Sequence, residues 1–176
     1  MTTQFIDTAQ RQTLRFGYGD TALGTALVSV SMRGVVALFI GDDRARLLRE
    51  LKDAFPEADF VLDQTGLAQH IAKATALVNA PHLGTDLTLD LRGSPIEVAV
   101  WKALQAIPAG QTRTYGAIAR DLPAPTTAQE VGAACAANRI AIGVPCHRVV
   151  KTDGSISGYR WGVWRKRRLI NMEGIA

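Results

Sequence analysis

A change of pattern at Arg92-Gly93 limits how this chain can fold more than any other feature. Before it, apolar residues alternate or fall in short β-branched runs. After it, they recur at the helical period. Ser94-Pro95-Ile96-Glu97 stands at the switch. Serine can cap a helix, proline suits its first position, and a glutamate three residues on can close a capping box. Ile96, Val100, Ala103, Leu104 and Ile107 then share one face, and Pro108-Ala109-Gly110 ends the helix. The switch predicts an α+β fold in two parts, 1–91 with strands and helices and 92–176 mostly helical.

In the first part, residues 1–12 are polar and aperiodic and read as a loose arm. The pattern is strand-like from Thr13. Leu23 to Ser31, a turn at Met32-Arg33-Gly34, and Val35 to Ile40 predict a β-hairpin. Gly41-Asp42-Asp43 opens a helix with Leu47, Leu48, Leu51 and Phe55 at helical spacing, stopped by Pro56. A second helix is expected over 66–79 and another strand over 86–91. This assembles as a small antiparallel sheet covered by helices. His70 and His82 stand alone, with no cysteine nearby to build a zinc site, and read as structural or solvent-facing.

In the second part, Thr114 to Asp121 is a short helix containing Tyr115. Leu122-Pro123-Ala124-Pro125 is a stiff connector, and Thr126 to Ala137 is a helix rich in small residues. Two short helices about a tight connector read as a helix-turn-helix. Small residues on the second helix let it approach another backbone closely. Residues 93–176 hold 11 Lys/Arg against 5 Asp/Glu, whereas residues 1–92 hold 9 against 11. A one-sided basic surface is the footprint of a phosphate-backbone binder, and equally a common solubilising face.

No apolar run approaches the ~20 residues that span a bilayer, and Met1-Thr2-Thr3-Gln4 has no basic, then apolar, leader pattern. The expectation is a monomer in the cytoplasm with no membrane partner. Two cysteines, Cys135 and Cys146, make no disulfide framework, and a reducing compartment suits a reactive thiol.

The chemistry centres on Val144-Pro145-Cys146-His147-Arg148-Val149-Val150. A thiolate is the strong nucleophile, and a neighbouring base or cation makes it accessible. Pro145 places Cys146 on a stiff turn. His147 is the candidate base, reaching the sulfur directly or through a water. Glu173, Asp121, Glu130 and Asp153 are candidates to orient it. Asn138 either pins the cysteine turn or caps a helix end. Cys135 reads as packing, and Trp101 reads as core. The loop from Asp153 to Tyr159 has glycines but lacks the lysine and spacing of a phosphate loop. The last helix, Trp161 to Met172, carries Arg165, Lys166, Arg167 and Arg168.

With these motifs the chain resembles the O6-alkylguanine-DNA alkyltransferases, and most of all the carboxy-terminal repair module of the Ada type. Pro145-Cys146-His147-Arg148-Val149-Val150 is that family's signature. The resemblance extends through Gly93 to Trp101, Tyr115, Ala133 to Asn138, and Gly154 to Val163. It implies a ribonuclease H-like first domain and a winged-helix-like second one. It implies single-turnover, self-inactivating transfer of a methyl or larger alkyl group from O6-alkylguanine, or O4-alkylthymine, to Cys146, with no metal and no cofactor. The partner would be double-stranded DNA carrying the lesion. By position, His147 would act on Cys146 through a water, Glu173 would polarise His147, Asn138 would hold the turn, and Tyr115 would help flip the nucleotide and protonate the leaving guanine. Tyr159, the backbone at Val149, and Trp101 would line the base pocket. Thr127, Ala128, Gln129, Arg148 and Thr152 would meet DNA. One position departs from the family: Gln129 stands where an arginine finger is usual, followed by Glu130, which repels phosphate. Arg113, Arg120 and Arg139 are the arginines able to compensate. Two readings stay open beside repair by a standalone enzyme. One is a non-catalytic damage sensor; the other is the repair module of a larger Ada-type regulator. A Cys-His hydrolase would need an oxyanion hole that nothing in the sequence supplies.

Overall fold

The computed structural model describes residues 11–174; most of the arm expected over 1–12 lies outside them. Strands β1 (Gln12–Thr21), β2 (Gly24–Val30) and β3 (Val35–Gly41) form an antiparallel meander. Their inward faces supply Leu14, Phe16, Leu27 and Phe39, all buried. Asp43 caps helix α1 (Arg44–Ala54), accepting from the backbone N–H groups of Ala45 and Arg46. Helix α2 (Ala68–Asn79) buries Ile71, Ala74, Leu77 and Val78.

Two expectations need correction. The sheet is mixed, not antiparallel. Strand β4 (Ala58–Leu62) pairs parallel with β1 at the edge, in the order β3-β2-β1-β4. Helix α1 is the crossover that parallel pairing requires. The strand escaped notice because its outer positions, Val61 and Leu62, are exposed, so it shows no clean alternation. Second, 86–91 is not a strand. It touches the sheet at one bridge, where the Val35 N–H donates to the Thr88 carbonyl and the Asp90 N–H to the Val35 carbonyl.

In the second part, Ser94 makes the expected capping box with Glu97 and starts α3 (Pro95–Gln105). Thr114 caps α4 (Tyr115–Asp121), and Thr127 caps α5 (Ala128–Ala136). The two helices pack on each other. A short parallel ladder, β5 (Arg113–Thr114) with β6 (Val149–Val150), fastens the start of α4 to the cysteine turn. Helix α6 (Val163–Met172) closes the chain.

The two parts share one continuous core. Leu38 of β3 bonds through its backbone to Arg139 and Ala141. Arg165, buried on α6, donates to the Leu23 carbonyl (2.8 Å) and to Asp42 (2.9 Å) across the junction. Two of the four basic residues expected to stud the last helix, Arg165 and Lys166, are therefore inside.

Candidate active site

The chain reaches Cys146 through two tight reversals. The Gly143 N–H donates to the Ala141 carbonyl (2.7 Å) around Ile142, whose φ is +68°. The Cys146 N–H donates to the Val144 carbonyl (2.8 Å) around Pro145 at φ −81°, ψ 62°. These are γ-turns, and a β-branched residue at positive φ is strained. Such strain persists only where the surroundings impose it. Asn138 is the constraint here. Its buried amide donates to the Val144 carbonyl (2.9 Å) and to the Cys146 sulfur (3.3 Å), while its oxygen accepts from the Ile140 N–H (2.9 Å). The residue that the sequence left between pin and cap is the pin; Ala137 ends α5.

Cys146, His147 and Arg148 form a single 3-10 turn, all buried. His147 Nε2 lies 3.0 Å from Glu173 Oε1, and both side chains are fully buried. Its Nδ1 makes no hydrogen bond among the described residues. Of the acidic candidates, Glu173 is the one brought to His147; Asp121 instead bonds Arg113 (2.6 Å) and Glu130 bonds Thr127. Burial raises the Glu173 carboxyl, but hydrogen bonds from His147 and Arg148 outweigh that and hold it at about 2. Burial lowers His147 against the pull of Glu173, which favours the neutral imidazole. A neutral ring that donates from Nε2 to a carboxylate leaves Nδ1 as a free acceptor. Burial raises the Cys146 thiol; the Asn138 amide and the charge of Lys166 pull it back in part.

The sulfur faces a cavity of about 510 Å³ lined by Tyr115, Cys135, Cys146, Gly158, Tyr159 and Arg160, with Gly132 and Ala136 from α5. This volume suits a small aromatic ligand. Cys135, read from sequence as packing, lines the same cavity, its thiol pushed up to about 12 by burial. Tyr159 lines the cavity. Val149 is fully buried behind the turn and outside the lining.

Two expected contacts are elsewhere. Trp101 is 3% exposed and donates from its indole to the Ala134 carbonyl (2.8 Å), tying α3 to α5. It is core, away from the cavity. Arg148 does not face solvent. It donates to Glu173 (2.6–3.2 Å) and to the Ile107 carbonyl (2.8 Å), which removes it from the set available to DNA. Thr127, Ala128, Gln129 and Thr152 are exposed. On α5, Gln129, Ala133 and Ala136 lie on one solvent face at helical spacing, a smooth surface beside the cavity mouth. Of the arginines offered as compensation, Arg113 is bonded to Asp121, Arg139 packs over Phe55, and Arg120 is exposed on α4.

Sequence reasoning missed Lys166 and Ser157. Lys166, 1% exposed, donates to Ser157 Oγ (3.0 Å), and Ser157 hydrogen-bonds the Tyr115 hydroxyl. The helical period carried the signal: Lys166 shares a face with Leu169, Ile170 and Glu173.

Residues 95–175 match the model of the 6-O-methylguanine DNA methyltransferase DNA-binding domain. A methylated-DNA–protein-cysteine methyltransferase of Candida albicans is 38% identical over 148 residues, 84% of this chain and 79% of its own length. The chain belongs to this methyltransferase family. The bifunctional transcriptional activator/DNA repair enzyme Ada of Escherichia coli is 41% identical over 97% of the chain, which spans 48% of that protein. The chain thus spans about half the length of the Ada-type relatives it matches. Among solved structures, Mycobacterium tuberculosis OGT in complex with DNA shares 34% identity at a TM-score of 0.75, over 90% of this chain and 92% of that one. Within the methyltransferase family, the Pro-Cys-His-Arg turn is thus held here by Asn138 from above and by Glu173 from behind.

Proposed function

We propose that this chain repairs DNA by moving a methyl or larger alkyl group from the O6 of guanine, or the O4 of thymine, to Cys146, in one step that consumes the protein. The observation that carries the proposal is the seat of the sulfur. It opens on a cavity lined also by Tyr115 and Tyr159, with a buried histidine anchored by a carboxylate behind it.

His147 Nδ1 takes the thiol proton, directly or through a water, and Glu173 stabilises the imidazolium that forms. The thiolate attacks the alkyl carbon. Tyr115 gives its proton to the departing guanine, which makes it a better leaving group. A lesion stacked in a duplex cannot reach a sulfur, so the nucleotide must leave the stack at a cost of a few kcal/mol. The small-residue face of α5, laid in the minor groove with Gln129 inserted, offsets that cost. In this reading the first part is a ribonuclease H-like scaffold and the second a winged-helix-like reader. The meander flanked by α1 and α2, and the α4–α5 pair with the β5–β6 ladder, support that description.

The test is the intact and peptide mass of the protein after incubation with a duplex bearing one O6-methylguanine. One added methyl per chain, confined to the Cys146 peptide and absent with undamaged DNA, is the expected result. Tight binding with no methyl gained would replace repair by damage sensing.

A further inference from the structure

A fully buried ammonium is costly unless something uses or compensates it. Lys166 is such a group. Its one hydrogen bond among the described residues goes to Ser157, a neutral hydroxyl. The groups whose ionised forms it would stabilise are two thiols, Cys146 and Cys135. Neither Ser157 nor Lys166 lines the cavity; Tyr115 does. The pair's hydrogen bonds reach the cavity through Tyr115, while the charge of Lys166 also bears on the Cys146 thiol.

One direction is forced. An ammonium has three protons and no acceptor, so Lys166 donates to Ser157. Between Ser157 and Tyr115 either hydroxyl can donate. When the serine proton goes to the Tyr115 oxygen, the phenol proton is free for a ligand, and the chain runs from α6 through the loop to α4 and out to the cavity.

We propose that Lys166 and Ser157 are a proton relay that refills Tyr115 as it protonates the leaving base, an inference resting on the alkyl-transfer reading above. The bookkeeping closes. The sulfur–carbon bond forms and the carbon–oxygen bond breaks, its electron pair staying with the base. The base takes the phenol proton, Tyr115 takes the serine proton, and Ser157 takes one from Lys166. The thiolate becomes a neutral thioether as the ammonium becomes a neutral amine. One negative and one positive charge vanish together in the same dry pocket, so the site never holds an isolated phenolate. Burial keeps the Tyr115 hydroxyl above its ordinary range, which makes a stranded phenolate unfavourable without such a partner.

The experiment compares two reactions of the same thiol in the full chain. Methyl transfer from an O6-methylguanine duplex needs a proton for the leaving base, whereas alkylation of Cys146 by iodoacetamide releases iodide and needs none. Ser157→Ala should slow single-turnover transfer by about tenfold or more, at unchanged duplex affinity, and leave the iodoacetamide rate within about twofold. Ser157→Thr, which restores the hydroxyl, should recover most of the transfer rate. Lys166→Met should slow transfer as well, and the double variant should be no slower than Lys166→Met alone, because the two act as one unit. Wild-type transfer in Ser157→Ala, or equal loss in both reactions, would overturn the relay. Failure of the unmodified chain to take up methyl while still reacting with iodoacetamide would overturn the alkyl-transfer reading, and the relay with it.

Discussion

Arg148 and Glu173, 25 residues apart, clasp each other through Nη2 and Oε1 at 2.6 Å inside the protein. The arginine of the cysteine turn thus serves the carboxylate that orients the neighbouring histidine. The same carboxyl oxygen serves both cation and imidazole, so the turn and the end of α6 form one unit.

Glu173→Gln keeps the size of the side chain and removes its charge. Arg148 would then be buried without a counter-ion, at a cost of about 3–5 kcal/mol. The stabilisation also carries a pH signature. Glu173 is held at about 2 against an ordinary 4.5, so its contribution is complete above the unfolded value and is lost as pH falls from 4.5 towards 2. Urea midpoints measured at neutral pH and through this acid window should fall steeply in the native chain and less steeply in Glu173→Gln. Parallel curves for the two proteins would count against the assignment.

Asn138→Ala should loosen the cysteine turn. It strands the Ile140 N–H, an expected loss of about 1–3 kcal/mol, and leaves the Val144 carbonyl with the Cys146 N–H as its donor. With the amide gone, the strained γ-turn at Ile142 keeps only its backbone bonds, from the Val144 N–H to the Ile140 carbonyl and from the Ala141 N–H to the Leu38 carbonyl. We expect a lower unfolding midpoint together with slower methyl uptake. A variant as stable as the parent would show that the γ-turns hold themselves.

Gly93→Ala tests the residue at which the sequence pattern changes. A β-carbon there would sit 2.5 Å from the ring of Trp101, a rigid neighbour already bonded to α5. The overpacking should cost about 1–3 kcal/mol. Thermal unfolding reads this directly, and an unshifted midpoint would mean that the indole can move aside.

Gln129→Arg should tighten binding to duplex DNA and speed methyl transfer, because an added cation at the tip of α5 meets phosphate while Glu130 repels it. If the new side chain neutralises one phosphate, the log–log salt slope should steepen by about 0.9. Affinity, slope and rate all unchanged would show that another residue already does this work; Arg120, exposed on α4, is the first to examine.

Local signals in the sequence determined much of this protein. The hairpin over β2 and β3, the Asp43 and Ser94 caps, and the stiff turn at Cys146 follow from residues a few positions apart, whose chemistry acts within one turn of chain. The cysteine, the adjacent histidine and the small-residue helix were legible for the same reason. Tertiary structure decided which way the charged side chains point. Sequence placed Arg148 on DNA and counted Arg165 and Lys166 as surface charge, yet all three are buried. Sequence spacing left four acids open as partners for His147; the family resemblance pointed to Glu173, and the packing of α6 beneath the cysteine turn brings that residue to the ring. Parallel pairing of β4 with β1 was likewise set by a crossover, which leaves no mark within five residues. A buried charge is stable only where distant segments supply its partner, so its place is fixed by the assembled fold and not by its neighbours in the chain.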